Sequence, residues 1–293
     1  MDLNLLRTFL SVYETGSLTK TARALFVTQP SVSHSLARLR KEFSDELFVR
    51  RGRGMVPTRV ADDLYPVLRE SVATIDDTVD GMKSFDPALS TRRFRLCLSD
   101  LGELGFLPQI LKRISRNAPF IEIEVVPMDI RQLPDWLARG AVDAAIASWP
   151  LPVEFGGTLL KTEKYVCVLR ADYPLVGNSL TLDEFQAAGH AIVDPVTGHQ
   201  LAEKAMTKQG IVRRSTVSVQ HFAVLPELIS ECNLFAIAPE SMAQRWLAKW
   251  PVRLADLPFE VGPVEVKLYL RANGHASTSL AWFHSVVSEA VMY

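Results

Sequence analysis

Nowhere does the chain hold an uninterrupted apolar run near the roughly 20 residues that a membrane-spanning helix needs, so no partnership with a bilayer is expected. Cysteine is scarce: Cys97, Cys167 and Cys232 form no CxxC pair and have no neighbouring histidine pattern suited to zinc. An odd number of cysteines cannot close a complete disulfide framework. The expectation is three reduced, mostly buried thiols in the cytoplasm, with a thiol redox sensor as the alternative. There is no GxSxG elbow, phosphate-binding Walker loop, HExxH pair or dinucleotide fingerprint. Neither an enzyme nor a bound metal or cofactor is therefore expected, although Asp100, Ser148 and His199 are residue types that a triad would use. The first residues carry Asp2 and Arg7 and lack a small-residue cleavage site, which argues against a secretory signal.

What is present divides unevenly. Across 293 residues, 48% hydrophobic, there is material for two or three domains with genuine cores. The formal net charge of -1 hides a contrast: residues 1–60 hold ten Lys/Arg against five Asp/Glu, leaving 22 against 28 in the rest. A basic head on an acidic body points to a polyanion bound at one end, as nucleic acid would be.

The head has the pattern of short helices. Asn4 is placed to cap a first helix carrying Leu6, Phe9, Leu10 and Tyr13, and Gly16 to end it. Ser17 opens a second, with Leu18, Ala22 and Leu25 inward, and Thr28 a third, with Pro30 in its first turn, where a missing N–H costs little. Val32, Leu36, Leu39 and Phe43 follow as one narrow apolar stripe, which leaves Pro30, His34, Ala37, Arg38 and Lys41 opposite and Ser33 on the flank. Such a face suits a DNA groove: Gln29, Ser33 and His34 to read base edges; Thr28, Arg38 and Lys41 to hold phosphates; Pro30 and Ser31 in the same turn. An ordinary solvated face has the same look in isolation. Residues 47–57 then give an apolar strand, a basic tip with Arg50, Arg51 and Arg53, and a return strand, which together make a wing. From 58 to 85 a long amphipathic helix is expected, with Val60, Leu64, Val67, Leu68, Ile75, Val79 and Met82 in its stripe and a bend or restart at Pro66. It is expected to bury that stripe against a second copy rather than its own domain.

These residues resemble the LysR-type transcriptional regulators. The likeness rests on Leu5-Leu6 with Phe9, Gly16-Ser17, Ala22-Arg23-Ala24-Leu25, Thr28-Gln29-Pro30-Ser31-Val32-Ser33, Leu36 with Leu39, Leu47-Phe48-Val49-Arg50 and Pro57-Thr58. His34 departs from the arginine of many members, which leaves the base preference at that point open. Phe85-Asp86-Pro87, Ser90-Thr91-Arg92-Arg93-Phe94 and Asp100 with Gly102-Glu103, Phe106 and Pro108 resemble the branch of nodulation regulators and activators of aromatic catabolism. The resemblance implies an α/β protein with an all-α, winged N-terminal part: a winged helix-turn-helix (1–58), a linker and dimerisation helix (59–86), and a two-lobed effector domain like a periplasmic binding protein (91–293). Lobe I would take 91–163 and 266–293, and lobe II 164–265. It further implies promoter DNA, RNA polymerase and a homodimer or homotetramer as partners, and a small-molecule co-inducer.

The remaining residues, read independently, alternate strand and helix. Strands are expected at 94–99, 121–126, 143–147, 165–169, 190–194, 215–219, 234–238 and 264–270, and helices at 105–116, 132–140 and 277–293. That alternation predicts mostly parallel sheets in two lobes enclosing a cleft. Ligands in such folds sit beyond the carboxyl ends of strands. The candidates are Ser99 and Asp100, Ser148 and Trp149, Thr197, Gly198 and His199, and His221 and Phe222, with Phe106 as an apolar wall. By resemblance Ser99, Asp100, Phe106, Ser148, His199 and Phe222 fall at pocket positions. Each also has a plain structural use, as cap, surface or core. The expected ligand is a small aromatic carboxylate or phenol. A solute-binding protein without a DNA role is the competing class, and the basic winged head speaks against it.

Overall fold

A computed structural model of the chain describes residues 2–52, 54–81, 85–271 and 277–291. Its contacts divide it into two units, one made chiefly of the first 84 residues and the other of most of the remainder.

In the first unit Asp2, not Asn4, caps α1 (Leu3–Thr15), its carboxylate accepting the Asn4 N–H at 2.9 Å. A carboxylate at the positive end of the helix dipole is the better cap, and Asn4 falls inside the first turn. Gly16 ends the helix at φ +58, a left-handed conformation that a side chain would strain. Ser17 caps α2 (Leu18–Ala24) and Thr28 caps α3 (Gln29–Phe43), each side chain accepting a first-turn N–H. Strands β1 (Phe48–Arg51) and β2 (Gly54–Pro57) pair antiparallel as the wing. Thr58 leads into α4 (Arg59–Gly81), which runs through Pro66 without a restart.

Phe9, Val12, Leu36, Leu39, Leu47 and Phe48 form the core of this unit, and Ala61, Leu68 and Val72 of α4 complete it. Tyr13 and Tyr65 stack at 3.9 Å, the Tyr13 hydroxyl donating to Asp62 and the Tyr65 hydroxyl to Glu14. So α4 does have a domain of its own to pack on, contrary to the expectation from its stripe, because the stripe is wide enough for two faces. Val60, Val67 and Ile75 stay exposed; Val79 and Met82 lie outside the residues whose side chains are described.

The second unit begins with β3 (Arg93–Leu98), α5 (Asp100–Gly105), α6 (Leu107–Asn117), β4 (Glu122–Pro127), α7 (Leu133–Ala138), β5 (Ala144–Ala147) and β6 (Thr158–Glu163). It continues with β7 (Tyr165–Arg170), α8 (Leu182–Ala187), β8 (Gly189–Val193), α9 (Leu201–Lys208), β9 (Arg214–Val219), α10 (Leu225–Cys232), β10 (Ala236–Pro239) and α11 (Glu240–Leu247). It closes with β11 (Val252–Ala255), β12 (Val264–Leu270) and α12 (Thr278–Val291). The first sheet has the order β4-β3-β5-β12-β6, parallel from β4 to β5 and antiparallel where β12 meets β5 and β6. In the second, β7 lies antiparallel between β10 and β11, and beside it β8 and β9 pair parallel as a separate two-stranded sheet.

The sheets are thus mixed rather than mostly parallel. The strands that cross between them, β6 into β7 with only Lys164 between and β12 on the return, run against the direction that the βα units impose. Phe94, Leu96 and Leu268 pack under α6 and α12 on one side of the first sheet, with Phe94 and Phe283 stacked at 4.4 Å. Val166, Val168, Leu225, Ile229 and Trp246 fill the corresponding space in the second. The helix expected over 105–116 is α6, which begins at Leu107; a further short helix, α5, precedes it, and the two break at Phe106, where Pro108 has no N–H for the Leu104 carbonyl. Cys97 and Cys167 are buried and Cys232 is exposed. Among the described residues no helix is long and apolar enough to cross a membrane, and no cluster of His, Cys, Asp and Glu is arranged to hold a metal.

Candidate functional site

Two surfaces gather the candidate residues. The first is the outer face of α3 and the wing. Thr28, Gln29, Pro30, Ser31, His34, Arg38 and Lys41 are exposed, as are Arg50 and Arg51; Ser33 is half-buried, and Arg53 lies outside the described residues. The four-residue step from Gln29 to Ser33 lets the Gln29 amide donate to the Ser33 hydroxyl at 2.8 Å, while Thr28 and Ser31 share a hydrogen bond at 2.9 Å. Gln29 therefore keeps its amide oxygen and one N–H for a partner. Arg40, on the same helix, is committed inward: it donates to the carbonyls of Glu46 and Phe48 and ties α3 to the root of the wing.

The second surface is a cavity of about 380 Å³ between the two sheets of the second unit. Ser99, Phe106, Ser148, Thr197 and His199 of the expected set line it. Ser99 follows β3 and caps α5, accepting the Gly102 N–H at 3.3 Å, and Gly102 is close enough to Leu98 that a Cβ would crowd it at 3.2 Å. His199 sits between Ser99 and Tyr165, with Nε2 at 3.4 Å from Ser99 Oγ and Nδ1 at 3.2 Å from the Tyr165 hydroxyl. Enclosure by these walls disfavours the imidazolium and lowers the His199 pKa to about 4, so the ring is neutral at physiological pH. Burial raises the Tyr165 pKa and keeps its proton in place. The consistent assignment has Tyr165 donating to Nδ1 and Nε2–H donating to Ser99, whose own hydroxyl proton then faces the cavity.

Asp100, Trp149 and Phe222 do not line it. Asp100 Oδ2 accepts the N–H groups of Phe222 at 2.5 Å and Ala223 at 3.2 Å, clamping α5 to the short 3-10 turn Phe222–Val224. Phe222 is buried in the second sheet's core and meets the His199 ring edge-on at 4.9 Å. Trp149 receives the Lys204 ammonium over its ring at 3.8 Å. Gly198 accepts from Ser148 at 3.5 Å and adopts φ +89; a Cβ there would meet Ile130 at 2.8 Å. His221 precedes the 3-10 turn and is not part of the lining. Thr197 ends a short 3-10 turn (Pro195–Thr197), and Gly198 and His199 follow it ahead of α9.

The opposite end of the cavity comes from Lys161, Glu163, Ser241, Met242 and Arg245, which the sequence reading missed. The Glu163 carboxylate is buried, pairs with Lys161 and accepts from both the hydroxyl and the N–H of Ser241 at the start of α11. Lys161 also lies 5.1 Å from the centre of the Phe106 ring. Arg245 donates at 2.9 Å to the Leu104 carbonyl, the acceptor that Pro108 leaves without its helical N–H. Leu101, Ile146, Val264 and Val266 supply apolar walls between the ends.

Comparison with known proteins matches both parts of the chain. Residues 3–62 match the bacterial regulatory helix-turn-helix protein, lysR family, and residues 87–291 match the LysR substrate binding domain. The HTH-type transcriptional activator NagR of a Ralstonia sp. is 30% identical, with 99% of this chain and 97% of that one aligned. Nodulation protein D 2 of Bradyrhizobium sp. (strain NC92) is 30% identical over 98% of this chain and 86% of its own. The crystal structure of the probable transcriptional regulator PA0477 from Pseudomonas aeruginosa superposes with a TM-score of 0.82 at 25% identity, covering 98% of this chain and 96% of that one. Two family models spanning nearly the whole chain, with relatives of matching length, make this protein a member of the LysR family of non-enzymatic, DNA-binding transcriptional regulators, in the branch of the nodulation and aromatic-catabolism regulators.

Proposed function

We propose that the protein is an effector-responsive activator of catabolic genes whose signal is a small aromatic carboxylate or phenol. The observation that carries this reading is the cavity: about 380 Å³, apolar along its walls and polar at both ends, a size and chemistry suited to one ring system with polar substituents. The DNA contacts fall to the exposed face of α3 and to the wing: Gln29, Ser33 and His34 at base edges, with Pro30 beside them, and Thr28, Ser31, Arg38, Lys41, Arg50, Arg51 and Arg53 at the backbone. Two copies pair through the exposed stripe of α4, which sets two recognition helices on one duplex, and a second pairing gives a tetramer. Promoter DNA and RNA polymerase are then its macromolecular partners, and the cytoplasm its place.

A footprint on the DNA beside the encoding gene should protect an interrupted palindrome. The pair Gln29→Ala with Arg50→Ala should weaken that protection by at least about tenfold, as loss of a base contact and a phosphate contact implies. Protection that survives the double substitution unchanged sinks the assignment of those side chains. For the effector, a thermal-shift screen should respond to benzoates, salicylates, phenols or flavonoids; a response confined to amino acids or sugar phosphates overturns the aromatic reading.

A further inference from the structure

The two ends of the cavity differ in charge, and the difference fixes how an effector lies. At the end formed by Ser99, His199 and Tyr165 the groups themselves are neutral: the imidazole is held unprotonated by its enclosure, and the phenol keeps its proton through burial and the nearby negative charge of Glu163, which further disfavours an anion there. Asp100, immediately after Ser99, adds a negative charge behind that end, its one carboxylate oxygen engaged by two backbone N–H groups and the other buried without a hydrogen-bond partner. An anion placed against Ser99 would find one hydroxyl donor and a neighbouring carboxylate. The opposite end holds two cations, Lys161 and Arg245, against one carboxylate, Glu163. Lys161 spends N–H donors on Glu163 and on Ser241 Oγ at 2.9 Å, and Arg245 spends one on the Leu104 carbonyl at 2.9 Å. An ammonium has three donors and a guanidinium five, so both retain some for a ligand. The balance at that end is one positive charge.

We propose that Lys161 and Arg245 are the charge-selecting residues of the effector site: the effector lies with a single anionic group against them and a neutral hydrogen-bond acceptor against Ser99. Glu163 limits the selection to one negative charge, because it cancels one of the two cations. A second carboxylate would have to sit either beside Glu163 or beside Asp100. The preference is thus for monoanions over both neutral aromatics and dianions. This assignment rests on the reading of the cavity as the site of an aromatic effector.

The test uses the full chain and calorimetric titration with benzoate, salicylate and 4-hydroxybenzoate, each beside its carboxamide, and with terephthalate as the dianion. An acid should bind at least about tenfold tighter than its amide and than terephthalate, the lower range for a charge-assisted hydrogen bond in a partly enclosed site. In Lys161→Gln and Arg245→Gln that acid-over-amide preference should fall towards unity, and Lys161→Arg should restore it, which separates lost charge from a damaged fold. Ser99→Ala should weaken acid and amide alike and leave the preference intact. Equal binding of acid and amide, abolished by Ile146→Trp in the cavity wall, overturns the charge assignment while the cavity keeps its role. A preference that survives both Gln variants, or terephthalate bound as tightly as the monoacid, also overturns it. Binding by no member of the panel overturns the aromatic reading and this proposal with it.

Discussion

Asp100 illustrates how little a residue's type says about its role until its partners are known. A carboxylate after the first βα strand is where a ligand contact is expected, yet this one is spent on two backbone N–H groups of residues 222 and 223. Hydrogen bonds of that kind, with an ionised acceptor, contribute roughly 1.5–3 kcal/mol each when sheltered, more than a cap at the start of a six-residue helix would. The histidines show the same dependence on surroundings. His190 is fully buried with Nε2 at 2.7 Å from the Phe185 carbonyl, and His199 is enclosed at the cavity; burial lowers each from 6.5 to about 4. In the unfolded chain both take up a proton near pH 6.5. Between pH 6.5 and 4 the unfolded state therefore binds more protons than the folded one, and stability falls as pH falls through that window. A full shift of this size corresponds to no more than about 3 kcal/mol per ring, less for His199 because its edge faces the cavity. Urea midpoints of the full chain should be flat from pH 8 to about 7 and decline towards pH 5. His199→Gln should shallow that decline; an unchanged slope would show that His199 is not held neutral.

At the scale of elements, α4 separates two functions on one helix. Leu68 and Val72 are buried against α1, whereas Val67 is 55% exposed one residue from Leu68. Leu68→Ala should cost the first unit about 2–5 kcal/mol, the usual range for a truncated core leucine, visible as a lower urea midpoint. Val67→Asp should leave that midpoint within about 0.5 kcal/mol, as for a surface site, and shift sedimentation towards the monomer if the exposed stripe pairs two copies. Dissociation by neither substitution would remove α4 from the assembly. The sequence showed α4 as apolar but not which part of its stripe was already taken, because that depends on Tyr13 and Phe9 of α1, some 50 residues earlier. The caps Ser17 and Thr28, the α3 stripe and β12 were legible because they follow from local hydrogen bonding and periodicity. Half of the cavity was not. Lys161 and Glu163 come from β6, a strand at the sheet's edge whose TLLKTE pattern buries only Leu160, and so lacks the apolar run of its neighbours. Arg245, on α11, lines the cavity and bonds the Leu104 carbonyl, a contact between distant parts of the chain that no local pattern reveals. Of the residues that the strand-end rule names, Ser99, Ser148 and His199 line the cavity, whereas Trp149 and Phe222 pack into the neighbouring cores.

At the scale of the whole molecule, the proposed switch needs an effector that distinguishes two arrangements of the protein, since a ligand of equal affinity for both would stabilise the fold and change nothing else. Contacts that join the two sheets beside the cavity are discrete enough to be made or broken as a set: the Asp100 clamp, the Ile130 N–H to the Val196 carbonyl at 3.1 Å, and Lys204 over Trp149. Packing is close at Gly198, where a Cβ would meet Ile130 at 2.8 Å. If DNA affinity and effector affinity depend on the same set, thermodynamic linkage requires them to change by the same factor. The acid that binds the cavity most tightly should alter the operator Kd by about 5–150-fold, the common range of coupling between sites, and saturating operator DNA should alter the Kd of that acid by the identical factor. Two titrations on one preparation, at one salt concentration because phosphate contacts make DNA affinity salt-dependent, measure both sides. Equal factors above twofold establish the coupling. A factor of one on both sides means that the acid occupies a cavity with no bearing on DNA, and the effector must then be sought among ligands that engage the clamp at Asp100 directly.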